Sequence, residues 1–224
     1  MSDAQHKACE AHRKYSREHT FLHVNHLRLI QDSAISPEVS RERGYRTVTT
    51  KIALARYGFA DYQCRVPALL IPVYDVSGQL ASYQIRPDEP RIDGEGEVVE
   101  YERCGTPRLV IDSPPRCGER VRDPGTPLYI TDGVRKADSA ASKGLCCIAL
   151  LGLFSSRGKS DGADHIAVRD WEGIALEKRL VRIVYDSDVR ETPQVHAAWV
   201  RVRQFLQSRD ARVQVIALTP RDPK

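Results

Sequence analysis

The sequence predicts an α/β protein whose C-terminal half is a parallel sheet flanked by helices, preceded by a smaller mixed α+β unit. Three observations predict it. From residue 128 onward, short apolar and β-branched runs alternate with amphipathic segments, the pattern of βαβ units joined by right-handed crossovers. Before that, two capped helical segments lead into two extended runs separated by Ser77-Gly78, which describe a hairpin. The 224 residues, 41% hydrophobic and 29% charged, are enough for one medium domain or two small ones with a real core.

Residues 1–30 are charged and histidine-rich and are expected to form a helix or tail. His19, His23 and His26 are spaced to share one helical face, with Cys9 and His12 nearby. Zinc would suit such a set, but no close cysteine pair anchors it, and a solvated helix is the preferred reading. A mixed unit is expected over 31–124. Ser36-Pro37-Glu38 with Gly44 behind, and Thr50 ahead of KIALARY with Gly58 behind, each place a cap before a helix and a glycine after it. VPALLIPVYD (66–75) and QLASYQIRPD (79–88) form the hairpin. Residues 89–127, rich in Pro and Gly, are expected to be loops around a short strand near Tyr101.

The second unit, 125–224, opens with LYIT (128–131), a helix from Val134 to Lys143 closed by Gly144, and CIALL (147–151). LVRIVYD (180–186) reads as a buried strand, Thr192-Pro193 opens a helix, and VQVIALT (213–219) is the last strand. In that helix Val195, Ala198, Trp199, Val202, Phe205 and Leu206 share one face at 3.6-residue periodicity.

Open parallel sheets bind ligands outside the carboxyl ends of their strands, so acidic residues just past a strand are the ones to weigh. Asp132 follows LYIT and precedes Gly133, and Asp186 and Asp188 follow LVRIVY. Magnesium takes hard oxygen ligands, usually one or two carboxylates plus substrate phosphates, which this trio would supply. An isolated D-x-D after a strand more often turns the chain or caps a helix.

The order of the two elements carries more than either alone. LYITDGVRKADSAASKGLCCIALLGLF followed by WEGIALEKRLVRIVYDSDVRETPQVHAAWVRVRQFLQSRDARVQVIAL resembles the Toprim domain of phage and plasmid replication primases, in a version often described only as a domain of unknown function. RVPALLIPVYDVSGQLASYQIRPDEPR and VVEYERC resemble the segment before Toprim in primase catalytic cores. The resemblance implies Mg²⁺-dependent nucleotidyl transfer, with Mn²⁺ as the substitute ion, in which Asp132, Asp186 and Asp188 are catalytic and metal-binding. It also implies primer synthesis on single-stranded DNA or a primer-template from nucleoside triphosphates, for a phage, plasmid or other mobile element, alongside a separate helicase. Arg86 and Arg91 after the hairpin, and Arg135 and Lys136 after Asp132, are the expected contacts to nucleotide or nucleic acid.

The chain departs from that pattern at two places. Asp132 stands where the family usually has Glu, and Glu100 stands before Tyr101 where a lysine is usual. A catalytically weakened nucleic-acid-binding accessory protein and a Toprim nuclease therefore stay open as alternatives. GLFSSRGKS (152–160) suggests a P-loop, but five residues rather than four separate Gly152 from Gly158. The formal charge of +4 is compatible with a polyanionic partner without requiring one. The longest apolar run, Cys146 to Phe154, is far below the ~20 residues of a membrane helix, and no signal-peptide core is seen, so a cytosolic protein with reduced cysteines is expected.

Overall fold

The structure, a computed structural model, describes residues 21–105, 110–151, 168–185 and 193–218. It begins with helices α1 (Val24–Asp32) and α2 (Pro37–Arg43), strand β1 (Arg46–Val48) and helix α3 (Lys51–Arg56). The predicted caps hold. Ser36 accepts from the Val39 N–H and Thr50 from the Ala53 N–H, and Gly44, at φ 80°, closes α2 in the left-handed region, where a side chain would be strained.

Strands β2 (Ala68–Tyr74) and β3 (Leu80–Pro87) form the expected hairpin, closed where Asp75 Oδ1 accepts from the Ser77 and Gln79 N–H groups. With β1 and the short β6 (Glu102–Arg103) they make a four-stranded sheet of order β1-β2-β3-β6, antiparallel throughout. The stretch expected to be mostly loop holds more than one strand. β4 (Arg91–Ile92) pairs with β5 (Val98–Val99), and β7 (Val110–Asp112) joins the second sheet. These strands have two or three residues each, too few for a period-2 pattern to stand out in sequence.

The second sheet contains β8 (Leu128–Thr131), β9 (Cys146–Leu151), β10 (Leu180–Tyr185) and β11 (Arg212–Ala217), in the order β11-β10-β8-β9-β7. The four strands predicted from sequence run parallel, and β7 adds an antiparallel edge. Helix α4 (Val134–Ser142) links β8 to β9, and α6 (Pro193–Ser208) links β10 to β11. A short helix α5 (Val168–Glu172) precedes β10.

One core lies on the α6 side, where Leu128, Ile130, Ile148, Val181 and Ile183 meet Trp171, Trp199, Val202 and Leu206. A second core crosses residue 125. It joins Ile30, Val39, Leu69 and Ile71 of the first elements to Val134, Ala137, Cys147 and Ala149 of the second sheet and its helix.

A buried ion cluster sits at that junction. Arg43, Asp112 and Asp138 are each fully inaccessible to solvent. Arg43 donates to Asp112 (2.6 and 2.9 Å), to Asp138 (2.7 and 2.9 Å) and to the Pro72 carbonyl (3.2 Å). Tyr45 donates its hydroxyl to Asp138 at 2.7 Å, and the Tyr74 N–H donates to Asp112 at 3.1 Å. Burial and the adjacent Asp138 carboxylate hold the Tyr45 phenol well above its usual range.

Two measurements test the cluster. Asp138→Ala leaves a buried guanidinium half-compensated and is expected to cost about 3–5 kcal/mol in urea unfolding; a cost below about 1 kcal/mol would show that the cluster is not structural. Because the Tyr45 phenol is raised in the folded state, its contribution is complete below the unfolded value of about 10 and is lost as pH rises past it. The stability difference between wild type and Tyr45→Phe is therefore expected to shrink above about pH 10, as read from unfolding curves at stepped pH.

Candidate metal and nucleic-acid site

β8 and β10 are neighbours and parallel, with Ile130 opposite Ile183, so their carboxyl ends open at the same edge of the sheet. Asp132 stands there, one residue past β8, and Gly133 caps α4. β10 ends at Tyr185, and Asp186 and Asp188 lie outside the described residues. Of the three carboxylates read from sequence, the structure thus places Asp132.

Its surroundings are specific. Lys136, one helical turn on, donates to Asp132 Oδ1 at 2.7 Å, and the Thr131 hydroxyl lies 3.3 Å from the same oxygen. The Asp132 side chain is 23% exposed. Among the described residues both contacts fall on Oδ1, and Oδ2 is a hard oxygen donor of the kind magnesium takes. Asp132 therefore suits one position in a metal site. Among the described residues no group of three His, Cys, Asp or Glu side chains could hold an ion, and two of the expected ligands are outside them.

The four expected basic residues fall into different situations. Arg91 is committed within the fold: its Nε bonds the buried Glu102, which also accepts from Gln63 Nε2 at 3.0 Å, and its guanidinium lies over the Tyr62 ring. The Glu102 hydrogen bond, more than any other influence, raises the Arg91 pKa. Arg86 meets Glu100 at 3.6 Å, with Glu100 55% exposed. Arg135 donates to Ser33 Oγ at 3.1 Å and lies over the Tyr101 ring. Lys136 holds Asp132.

Two further residues bring the first sheet to this edge. Tyr101 stacks under Arg135, and Arg103 Nη1 donates to the carbonyl of Leu151, at the carboxyl end of β9. Burial lowers the Arg103 pKa. Sequence reasoning missed Arg103; its place two residues after Tyr101, in the stretch that resembles primase cores, was the available signal. The histidine set also resolves in part. His26 is buried, with Nδ1 2.7 Å from Thr47 Oγ1 and Nε2 2.7 Å from Asp88 Oδ1, so it pins α1 to the first sheet. Cys9, His12 and His19 lie outside the described residues, as does the GLFSSRGKS segment.

No curated protein matches the chain by sequence. Residues 119–224 match the family described as "Domain of unknown function (DUF3854)". Solved structures match nearly the whole chain. The primase of Aquifex aeolicus (zinc-binding and RNA polymerase domains) is similar at 16% identity and TM-score 0.64, over 94% of this chain and 54% of its own. This chain thus spans about half the length of that structure. The DnaG primase catalytic domain bound to single-stranded DNA is similar at 14% identity and TM-score 0.61, over 97% of this chain and 75% of its own. The RNA polymerase domain of Mycobacterium tuberculosis primase DnaG gives 14% and 0.62, over 97% and 76%. Identities this low establish fold rather than activity, and the fold they establish is that of the primase catalytic core.

Proposed function

We propose that this chain is a primase-type nucleotidyltransferase core that joins nucleoside triphosphates into primers on single-stranded DNA, with Mg²⁺ as cofactor. The observation that carries the proposal is the placement of Asp132. It stands at the carboxyl edge of a parallel sheet with the primase-core fold, beside the strand that runs into Asp186-Ser187-Asp188. Two of the similar solved proteins were captured with nucleic acid, one with single-stranded and one with double-stranded DNA, and the same class of partner is proposed here.

Asp132 Oδ2, with the carboxylates of Asp186 and Asp188, would hold the ion. A bound Mg²⁺ supplies charge neutralisation at phosphoryl oxygens and orientation of the attacking group. The protein's own part is positional. Lys136 and Thr131 fix the Asp132 carboxylate, Arg135 and Arg86 offer guanidinium groups to phosphate, and Tyr101 steadies Arg135. A helicase on a separate chain and a role in phage or plasmid replication belong to the same proposal, resting on the sequence resemblance.

A second reading, a weakened accessory protein that binds nucleic acid, is favoured by two observations. Asp132 is one methylene shorter than the family's glutamate and is tied to Lys136. Arg91 is committed to Glu102.

The experiment is incubation with single-stranded DNA, labelled nucleotides and Mg²⁺ or Mn²⁺, resolving extension from cleavage. Extension supports the primase reading, cleavage the nuclease, and binding without either the accessory protein. The shorter arm withdraws the carboxylate by about 1.5 Å, and a misplacement near 1 Å can cost about 10²-fold in rate. Asp132→Glu is therefore expected to raise primer synthesis, whereas Asp186→Asn should weaken Mg²⁺ affinity itself, as read by titration calorimetry. A fall in synthesis on Asp132→Glu would show that the local backbone is already adapted to the shorter side chain. Binding to oligo-dT should weaken steeply as salt rises, because each phosphate contact releases counterions.

A further inference from the structure

β9 lies on one side of β8, and β10 and β11 on the other. Right-handed crossovers leaving in opposite directions place their helices on opposite faces, so α4 and α6 cover different sides of the sheet. On the α6 side, α5 and the segment around Val121 complete the cover. On the α4 side, helices α1 and α2 pack beyond β9. Among the described residues nothing covers that face over β10 and β11. There Val184 and Ile216 are half-buried and Leu218 is 46% exposed. The gap between this face and the flank of α4 is a cavity of about 520 Å³, lined by Tyr129, Arg135, Ser139, Lys143, Val184 and Ile216 among others.

Its charge is one-sided. Among the described residues, Arg135, Lys136 and Lys143 line it, spaced along one flank of α4, and no carboxylate does. Beside them on the sheet stands Arg182, in the middle of a strand that is otherwise Leu, Val, Ile, Val and Tyr. Strands inside parallel sheets are normally near-continuous apolar runs, and a half-buried cation there has a desolvation cost to offset. Arg182 meets no carboxylate among the described residues. It donates instead to two neutral acceptors, Tyr129 Oη at 2.6 Å and Gln214 Oε1 at 3.1 Å, which hold its guanidinium over the Tyr129 ring. The result is a pre-oriented cation with no counter-charge among the described residues. Arg135 and Lys143 likewise have no acidic partner among the described residues.

We infer that this cavity is a track for the backbone of a single-stranded nucleic acid, running along α4 past Lys143 and Arg182 toward the sheet edge at Asp132. The phosphates meet the cations of α4 and Arg182, and the sugar and base faces lie on Tyr129, Val184 and Ile216. This rests on the nucleic-acid function proposed above and adds Lys143 and Arg182 to the residues that contact the strand. Lys143 closes α4 at the end opposite Asp132, about 10 Å from Lys136 at 1.5 Å per residue, so its effect on binding separates from the metal site.

The test uses the whole chain, with oligo-dT as probe. Lys143→Glu, at an exposed position that leaves the core intact, and Arg182→Gln are each expected to weaken oligo-dT binding about tenfold. Each should also reduce the salt slope by about 0.7, the value for one phosphate contact of a single strand. A photo-crosslinking amino acid at position 143 should capture labelled oligo-dT, and unlabelled oligo-dT should compete. Unchanged affinity and slope in both variants without a crosslink, while wild type still binds, would place the strand elsewhere and overturn this inference alone. No binding by wild type at low salt would remove the proposed function as well. Competition by polyglutamate of equal charge would mark a non-selective anion surface, and competition by dTTP a mononucleotide pocket, and either overturns the strand track.

Discussion

The arrangement of this protein depends on one fully buried guanidinium. Arg43 ends α2, Pro72 lies in β2, Asp112 ends β7 and Asp138 sits in the middle of α4, and all four meet through its five N–H groups. One cation faces two carboxylates, and the Tyr45 hydroxyl and the Tyr74 N–H each give a second donor to an oxygen that Arg43 also bonds, Asp138 Oδ2 and Asp112 Oδ1. Such a cluster adds little net stability compared with an apolar core of the same shape, but it tolerates no misplacement, because an unpaired buried charge costs several kcal/mol. It therefore specifies one way of setting α4 against the first sheet. Asp132 lies six residues before Asp138, just ahead of the cap Gly133 of the helix that carries Asp138. The buried cluster thus fixes the distance between the sheet-edge carboxylate and the elements that carry Tyr101 and Arg103.

A second buried arginine works locally. Arg179, also inaccessible, donates to the carbonyls of Thr126, Ala175 and Arg120, and so fastens the chain entering β8 to the chain entering β10. Those two strands are neighbours whose carboxyl ends define the site. The amino ends of the pair are tied by polar contacts and its middle by the apolar cluster, which leaves the carboxyl edge as the place where polar side chains meet solvent. This is the usual division of labour in open parallel sheets, where ligands collect at the point at which the strand order reverses.

How much of this was legible in the sequence follows from the range of each interaction. The four parallel strands, α2, α3, α4, α6 and the hairpin are set by local signals of period, cap and turn, and were read to within a residue or two. β4, β5 and β7 are two or three residues long and exist because a partner strand pairs with them, which no local pattern encodes. Arg43 illustrates the limit more sharply. In sequence it is one charge in the polar stretch SRERG, whereas in the structure it is sealed by residues 29, 69 and 95 positions away. The site was half legible. The strand-Asp-Gly-helix element pointed to Asp132, but Arg103 was marked only by its place beside Tyr101, and Arg182, one cation within an apolar strand, acquires meaning from Tyr129 and Gln214, which the fold sets beside it.

Arg86, near the end of the hairpin, and Arg91, just past it, show why composition alone could not rank the basic residues. Arg86 and Arg91 are five positions apart, and both end in an ion pair with a glutamate, yet the pairs differ in what it takes to exchange the partner. Glu100 is 55% exposed beside Arg86, at 3.6 Å, and an exposed pair of that kind is worth between about 0 and 1 kcal/mol. A phosphate can displace it with little loss, and Glu100 returns to water. Glu102 beside Arg91 is 5% exposed and holds Gln63 as well, so withdrawing Arg91 would strand a buried carboxylate at several times that cost. Arg86 is thus available to an incoming anion and Arg91 is not. The difference lies in the burial of the partner glutamate rather than in either arginine: Glu100, where the resembled cores carry lysine, is an exposed carboxylate beside Arg86, and Glu102 is a buried one beside Arg91.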